Sequence, residues 1–305
     1  MTHFSKFVLP ALLLAFLTSC SPSAATPVHQ TATAEPTLES VDQERVPETH
    51  QLTPDTVTPE PVVPTPEGEE MECQERGGRL VAYQVPWVEG KLTGQIYTPP
   101  CYDQSEMRYP TLYLLHGAAE TEQQWEELGL DKVVDDQIHE EAIPPLIIIM
   151  PREDTWVSLQ ENPFGDHLMQ TLIPWVDQEY RTLPERRYRA VGGISRGGNW
   201  AIRLGMLHWE TFGSLGAHSA PLFYGDLNRL PGWLEDIPEN SIPRIYLDIS
   251  EGDRYLPEAE SLRDILRDAD VTLEWHLYPG LHNETYWSSH LEEYLLWYSA
   301  GWSGQ

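Results

Sequence analysis

Cysteine is scarce in this chain, with three thiols among 305 residues, at Cys20, Cys73 and Cys101. Two sulfurs in the globular part, with no matching pair of histidines, do not make a metal site, so none is expected. Positive charge is scarce too: 19 Lys and Arg stand against 48 Asp and Glu, a formal net charge of −29. Nucleic acids and anionic membrane surfaces both need clusters of Lys and Arg, so this balance excludes them as electrostatic partners. Long apolar runs are missing as well. Phe7–Leu17 falls short of the ~20 residues needed to span a bilayer. No large inserted cap and no accessory binding module or propeller are expected beside the globular part. What is present is 40% hydrophobic residue, enough for a sizeable core. The acidic surface suits solubility outside the cell.

The first twenty residues read as a targeting segment, with Lys6 before the apolar stretch and Leu17-Thr18-Ser19-Cys20 closing it. That ending resembles a bacterial lipobox, in which Cys20 is lipidated and becomes the first residue. The alternative is a secretory signal cut near Ser23-Ala24-Ala25. Residues 21–72 hold eleven acidic residues against one basic residue, Arg45. They are rich in Pro and Thr, nearly free of aromatics and without hydrophobic period. Such a segment cannot bury enough apolar surface to offset its ordering entropy, so it is expected to be a disordered, extended stalk. The expected location is the cell envelope, on the outer face of a bacterial membrane.

From Cys73 to Gln305 a single α/β domain is expected. Cys73 and Cys101 bracket a predicted β-hairpin, Leu80–Val85 and Leu92–Thr98, with a turn near Glu89-Gly90-Lys91. A hairpin brings its ends together, so the two cysteines either meet as a disulfide or remain two free thiols. Strands then alternate with helices. Strands are predicted at 111–115, 146–150, 188–194, 214–217, 244–249 and 271–278. Helices are predicted at 128–140, 165–180 (interrupted near Pro174), 199–208, 257–269 and 288–298. This order gives a mostly parallel sheet with helices on both faces and an antiparallel hairpin at one edge.

The polar residues that carry chemistry fall at the ends of those strands, where such sheets bind ligands. Gly193-Ile194-Ser195-Arg196-Gly197 is a G-x-S-x-G pattern between an apolar strand and a helix, the setting of a nucleophile elbow. The helix start supplies free N–H groups and a positive dipole end beside Ser195. The oxyanion donors expected are the N–H of Arg196 and that of Ala118, after His116-Gly117. His116 itself is expected to hold its loop rather than act as a base. The acid candidate is Asp253, beyond the strand at 244–249, with Glu251 and Asp248 as competitors. The base candidate is His282, in the Pro-Gly loop after the last strand; His276 and His290 are expected to be structural. Ser195, Asp253, His282 is the chain order of α/β-hydrolases. Aromatic residues are plentiful nearby, and Trp125 and Trp287 are candidates for a substrate pocket. Asp166 and His167 are candidates to face the site.

Several segments carry a family resemblance: LYLLHGAAETEQQW, PPLIIIMPRED, LIPWVDQEYRT, GGISRGGNWAIRLGMLHWETFGSLGAHSA and PGLHNETYW. Over about Leu92–Trp297 the chain resembles the esterase-D-like branch of the α/β-hydrolases. That group includes feruloyl and acetyl-xylan esterases, enterochelin-type esterases and mycolyltransferases. Two departures stand out. Ser250 replaces a Gly common three residues before the acid, and Ala118-Ala119 follow the His-Gly pair. The resemblance implies a serine esterase needing no cofactor, acting on small-molecule or carbohydrate esters and touching a membrane only through the lipid on Cys20. An acyltransferase to an envelope sugar or alcohol would use the same three residues. A non-catalytic binding protein would be expected to have lost one of them.

Overall fold

The computed structural model describes residues 73–87, 90–154 and 162–302. The expected targeting segment, Cys20 and the expected stalk lie outside them. Eight strands form one sheet in the order β1-β2-β4-β3-β5-β6-β7-β8. β1 (Arg79–Trp87) and β2 (Gly90–Thr98) are the antiparallel hairpin, and β2 also runs antiparallel to β4 (Ile147–Pro151). β3 (Thr111–Leu115), β5 (Arg189–Ile194), β6 (Ser214–His218), β7 (Arg244–Ser250) and β8 (Glu274–Tyr278) complete the sheet and pair in parallel. The hairpin register sets Trp87 opposite Gly90, so β2 begins within the stretch Glu89–Lys91 where the turn was expected. Cys73 and Cys101 form a disulfide beside the hairpin, with Cα atoms 5.1 Å apart.

The continuous apolar strands are explained by burial on both faces. Successive side chains point to opposite sides of a sheet. Tyr113, Leu115, Ile147 and Ile149 therefore join one core layer, and Leu112, Leu114, Ile148 and Met150 the other. The first layer takes in residues of the helices α3 (Phe164–His167), α4 (Ile173–Glu179), α5 (Arg196–Leu207), α6 (Asp226–Asp236) and α7 (Leu256–Asp268). The second takes in α1 (Gln124–Glu127), α2 (Leu130–His139), α8 (Glu284–Ser288) and α9 (Leu291–Ser299).

Three boundaries differ from the sequence reading. The helix expected over 165–180 is broken by a π turn, Leu168–Leu172, just before Pro174. Proline has no N–H for the α-helical ladder, and the wider turn absorbs that loss. The strand expected from Val271 begins only at Glu274, because the Val271 N–H closes on Leu266 O at the end of α7. The last helix, expected from Ser288, begins only at Leu291, and a separate short α8 that was not expected follows just after His282.

Candidate active site

β5 delivers Ser195 to the C-terminal edge of the sheet, and α5 starts at the next residue. Ser195 has φ 53° and ψ −116°, outside the regions an L-residue ordinarily occupies. Its N–H donates to His218 O at 2.8 Å, tying the turn to β6. The turn is sharp enough that a Cβ on Gly197 would overlap the Leu115 carbonyl, which is why glycine stands there. The half-buried hydroxyl is left at the start of a 12-residue helix, where amide dipoles favour negative charge.

The structure brings the three sequence candidates together. Ser195 Oγ lies 3.0 Å from His282 Nε2, and His282 Nδ1 lies 2.7 Å from Asp253 Oδ2. The Asp253 carboxylate is fully shielded from solvent and also accepts the Tyr255 N–H at 2.9 Å. An acceptor fixed at Nδ1 leaves Nε2 as the imidazole nitrogen facing the serine. At Ser250 the loop still closes, its carbonyl accepting the Asp253 N–H at 3.1 Å, while its buried Oγ has no partner. The close approach falls at Gly252, whose N–H reaches Gly280 O at 3.1 Å and binds the acid loop to the base loop. Tyr255 and Trp287 flank the imidazole edge-on, at centroid distances of 5.3 and 5.1 Å.

The competing residues are employed elsewhere. Glu251 is exposed. Asp248 is buried and accepts from His218 Nδ1 at 2.6 Å and from the Tyr286 and Tyr294 hydroxyls at 2.8 Å each. Tyr298 Oη lies 3.0 Å from the other nitrogen of His218. Burial first, and the charge of Asp248 second, push the Tyr286, Tyr294 and Tyr298 hydroxyls up from their ordinary pKa, so they remain protonated donors. This network lies under the serine, holds α8 and α9 to the sheet, and was missed by sequence reasoning. His276 sits between Tyr246 and Tyr278, and His290 donates to Tyr286 O at 2.7 Å.

On the oxyanion side, Ala118 is half-buried in the loop after β3. His116 fixes that loop, as expected. Its Nδ1 donates to Gly117 O and its Nε2 accepts the Glu153 N–H, both at 2.8 Å. Burial lowers the His116 pKa, consistent with a neutral ring that donates on one side and accepts on the other. Glu153, after β4, was not foreseen. Its carboxylate takes the Arg196 guanidinium at both oxygens, 2.5 and 3.1 Å, and the Asn162 amide at 2.9 Å. The sequence signal was slight: an acid two residues beyond a fully apolar strand.

The pocket candidates divide. Trp125 is wholly buried in the second core layer, 6.3 Å from the His218 ring, so it supports the site from beneath and does not line it. Trp287 is also buried, but its edge meets His282, so it backs the imidazole. Asp166 is exposed, and its charge is felt by His208, at the far end of α5 from Ser195. The family model described as "Putative esterase" matches residues 86–298. The chain belongs to this esterase family. An esterase of Mycobacterium tuberculosis is 32% identical over 138 residues, covering 41% of this chain and 28% of the relative. The endo-1,4-beta-xylanase/feruloyl esterase of Xylanibacter ruminicola is 30% identical over 145 residues, covering 43% and 20%. This esterase chain thus matches about a quarter of the length of those relatives. Among solved structures, a ferulic acid esterase superposes with TM-score 0.66 at 22% identity, over 73% of this chain and 98% of that one. An S-formylglutathione hydrolase from Staphylococcus aureus superposes at 0.60 with 17% identity, over 73% and 98%. At such identities the likeness establishes the α/β-hydrolase fold alone.

Proposed function

We propose that this member of the esterase family is a serine esterase that cleaves carboxylic esters through an acyl-serine intermediate. The observation that carries the reading is the continuous chain from Asp253 through His282 to Ser195, with the serine held in the elbow at a helix start. His282 Nε2 accepts the Ser195 proton as Oγ adds to the ester carbonyl carbon. The Arg196 and Ala118 amides hold the resulting oxyanion. His282 then gives its proton to the departing alcohol oxygen, and the acyl group stays on Ser195. A water, deprotonated by the same nitrogen, releases the acid. Asp253 fixes the tautomer and stabilises the imidazolium.

Small-molecule or carbohydrate esters are the substrate class, in keeping with relatives named feruloyl esterase and acetyl esterase. The enzyme is held outside the cell by lipid on Cys20, at the end of the stalk of residues 21–72, as the lipobox-like Leu17–Cys20 suggests.

The test is a burst experiment on the full chain with p-nitrophenyl acetate and p-nitrophenyl ferulate side by side. A stoichiometric release of p-nitrophenol that vanishes in Ser195→Ala is the expected result. Turnover that survives Ser195→Ala, or none with either ester, would overturn the reading.

A further inference from the structure

Glu153 stands where three strand-end loops meet. Its backbone N–H donates to His116 Nε2, and His116 Nδ1 donates to the carbonyl of Gly117, immediately before Ala118. Its carboxylate grips Arg196 in a two-point fork, through Nε and a terminal guanidinium nitrogen. One residue therefore touches the loop after β3 and the start of α5, and it sits itself in the loop just after β4. These are the loops that carry the two amides assigned above to the oxyanion.

The contacts continue around a closed circuit. The Arg196 guanidinium lies 5.3 Å from the Phe223 ring centroid, and Phe223 meets Trp200 edge-on at 5.3 Å. Trp200 meets Phe164 at 5.2 Å, the Phe164 N–H donates to Asn162 Oδ1 at 3.0 Å, and Asn162 donates back to Glu153. The Glu153 side chain is 8% exposed and that of Arg196 20%, so water competes little for the fork. Charge-assisted, two-point Arg–carboxylate bonds are strong and directional, and a buried one fixes orientation better than it adds stability.

We propose that Glu153 is a positioning residue for the oxyanion site: through Arg196 and His116 it sets the separation and direction of the Arg196 and Ala118 amides. The inference rests on the esterase reading of the same site. Glu153 does not touch substrate. It acts on the geometry of donors that must meet an oxygen carrying charge only in the transition state, so its loss falls on the chemical step and spares ground-state binding. Removing one oxyanion donor outright costs about 10²–10³ in rate. Glu153→Gln keeps the main-chain bond to His116 but weakens the fork on Arg196, misaligning that amide relative to the Ala118 amide without removing either, so kcat should fall about 10- to 50-fold, with KM within about twofold of wild type.

The deciding readout is affinity for an aryl trifluoromethyl ketone, measured on the full chain alongside kcat and KM for p-nitrophenyl acetate. Ser195 Oγ adds to the ketone carbon, its proton passes to His282 Nε2, and the former carbonyl oxygen becomes an oxyanion in the site. Glu153→Gln should weaken this inhibitor by the same factor as it lowers kcat. Arg196→Lys keeps the charge and the main-chain amide but loses the fork, and it should show the same paired loss should Glu153→Gln fail to fold. A kcat within twofold of wild type in the variants, or a kcat loss without loss of inhibitor affinity, overturns the proposal. Wild-type turnover abolished by Ser195→Ala is the baseline for these comparisons. Its absence would refute the esterase reading itself, whereas its presence with Glu153→Gln equal to wild type refutes this inference alone.

Discussion

Ser195 holds a backbone conformation that only glycine adopts freely, and that makes stability and activity oppose each other at one residue. Its φ of 53° with ψ of −116° costs on the order of 1–3 kcal/mol for a residue carrying a Cβ. Ser195→Ala and Ser195→Gly both delete the hydroxyl and its contact with His282, so neither should turn over substrate. They differ in the strain. Alanine keeps the Cβ and the cost, whereas glycine sheds it and in exchange gives the unfolded chain about 0.4–1 kcal/mol of extra entropy. The difference leaves Ser195→Gly more stable than Ser195→Ala by about 0.5–2 kcal/mol. Denaturant unfolding of the two variants with a common m-value reads this directly as a displacement of the midpoint. In an unstrained turn only the entropy would count, and glycine would be the less stable variant by about 0.4–1 kcal/mol. The sign therefore decides, and a Ser195→Gly protein that unfolds before Ser195→Ala refutes the strain argument.

Asp248→Ala strands three buried donors, on His218, Tyr286 and Tyr294, and should cost about 3–6 kcal/mol, while Tyr286→Phe, which removes one of the three, should cost about 1–2 kcal/mol. Equilibrium unfolding measures both, and an Asp248→Ala protein within about 1 kcal/mol of wild type would show that the network contributes little. Burial lowers the His116 pKa below its unfolded value of 6.5, so as pH falls below that value the unfolded chain binds the proton first and folded stability declines. His116→Asn should therefore show a shallower loss of stability over that acidic window than wild type. Parallel pH curves for the two proteins would remove His116 as a cause.

The sheet and the three candidate residues were legible because each has a local signature. Strands such as Ile147–Pro151 are apolar on both faces, and only a buried, mostly parallel sheet explains that. Ser195, Asp253 and His282 each stand just past a strand, with Gly or Pro marking the turn. What stayed hidden depends on contacts distant in sequence. Glu153 matters through His116 and Arg196, and His218 matters through Asp248 and three tyrosines; no spacing rule connects them. The helix Asp226–Asp236 went unpredicted for another reason: Pro231 and Gly232, both poor helix formers, stand inside it. It forms because Asp226, Leu230 and Leu234 repeat every four residues on one buried face, and because Arg203 and Arg229 both hold Asp226. Trp125 shows the opposite error. An aromatic residue near a site in sequence does not reveal on which side of the sheet its ring lies.

The Tyr298 hydroxyl, besides meeting His218, occupies the space over Gly192 and Gly216, where a Cβ on either glycine would strike it. Strands β5 and β6 are thus built with a notch between them that a residue near the end of the chain must fill. On the ribosome, Ser195 and its two central strands emerge long before the helix that completes them. A nascent or truncated chain lacking Leu291–Ser299 holds the nucleophile in its sequence but not in its setting. The strand that ends in the nucleophile is therefore fully packed only once Leu291–Ser299 has folded back onto it.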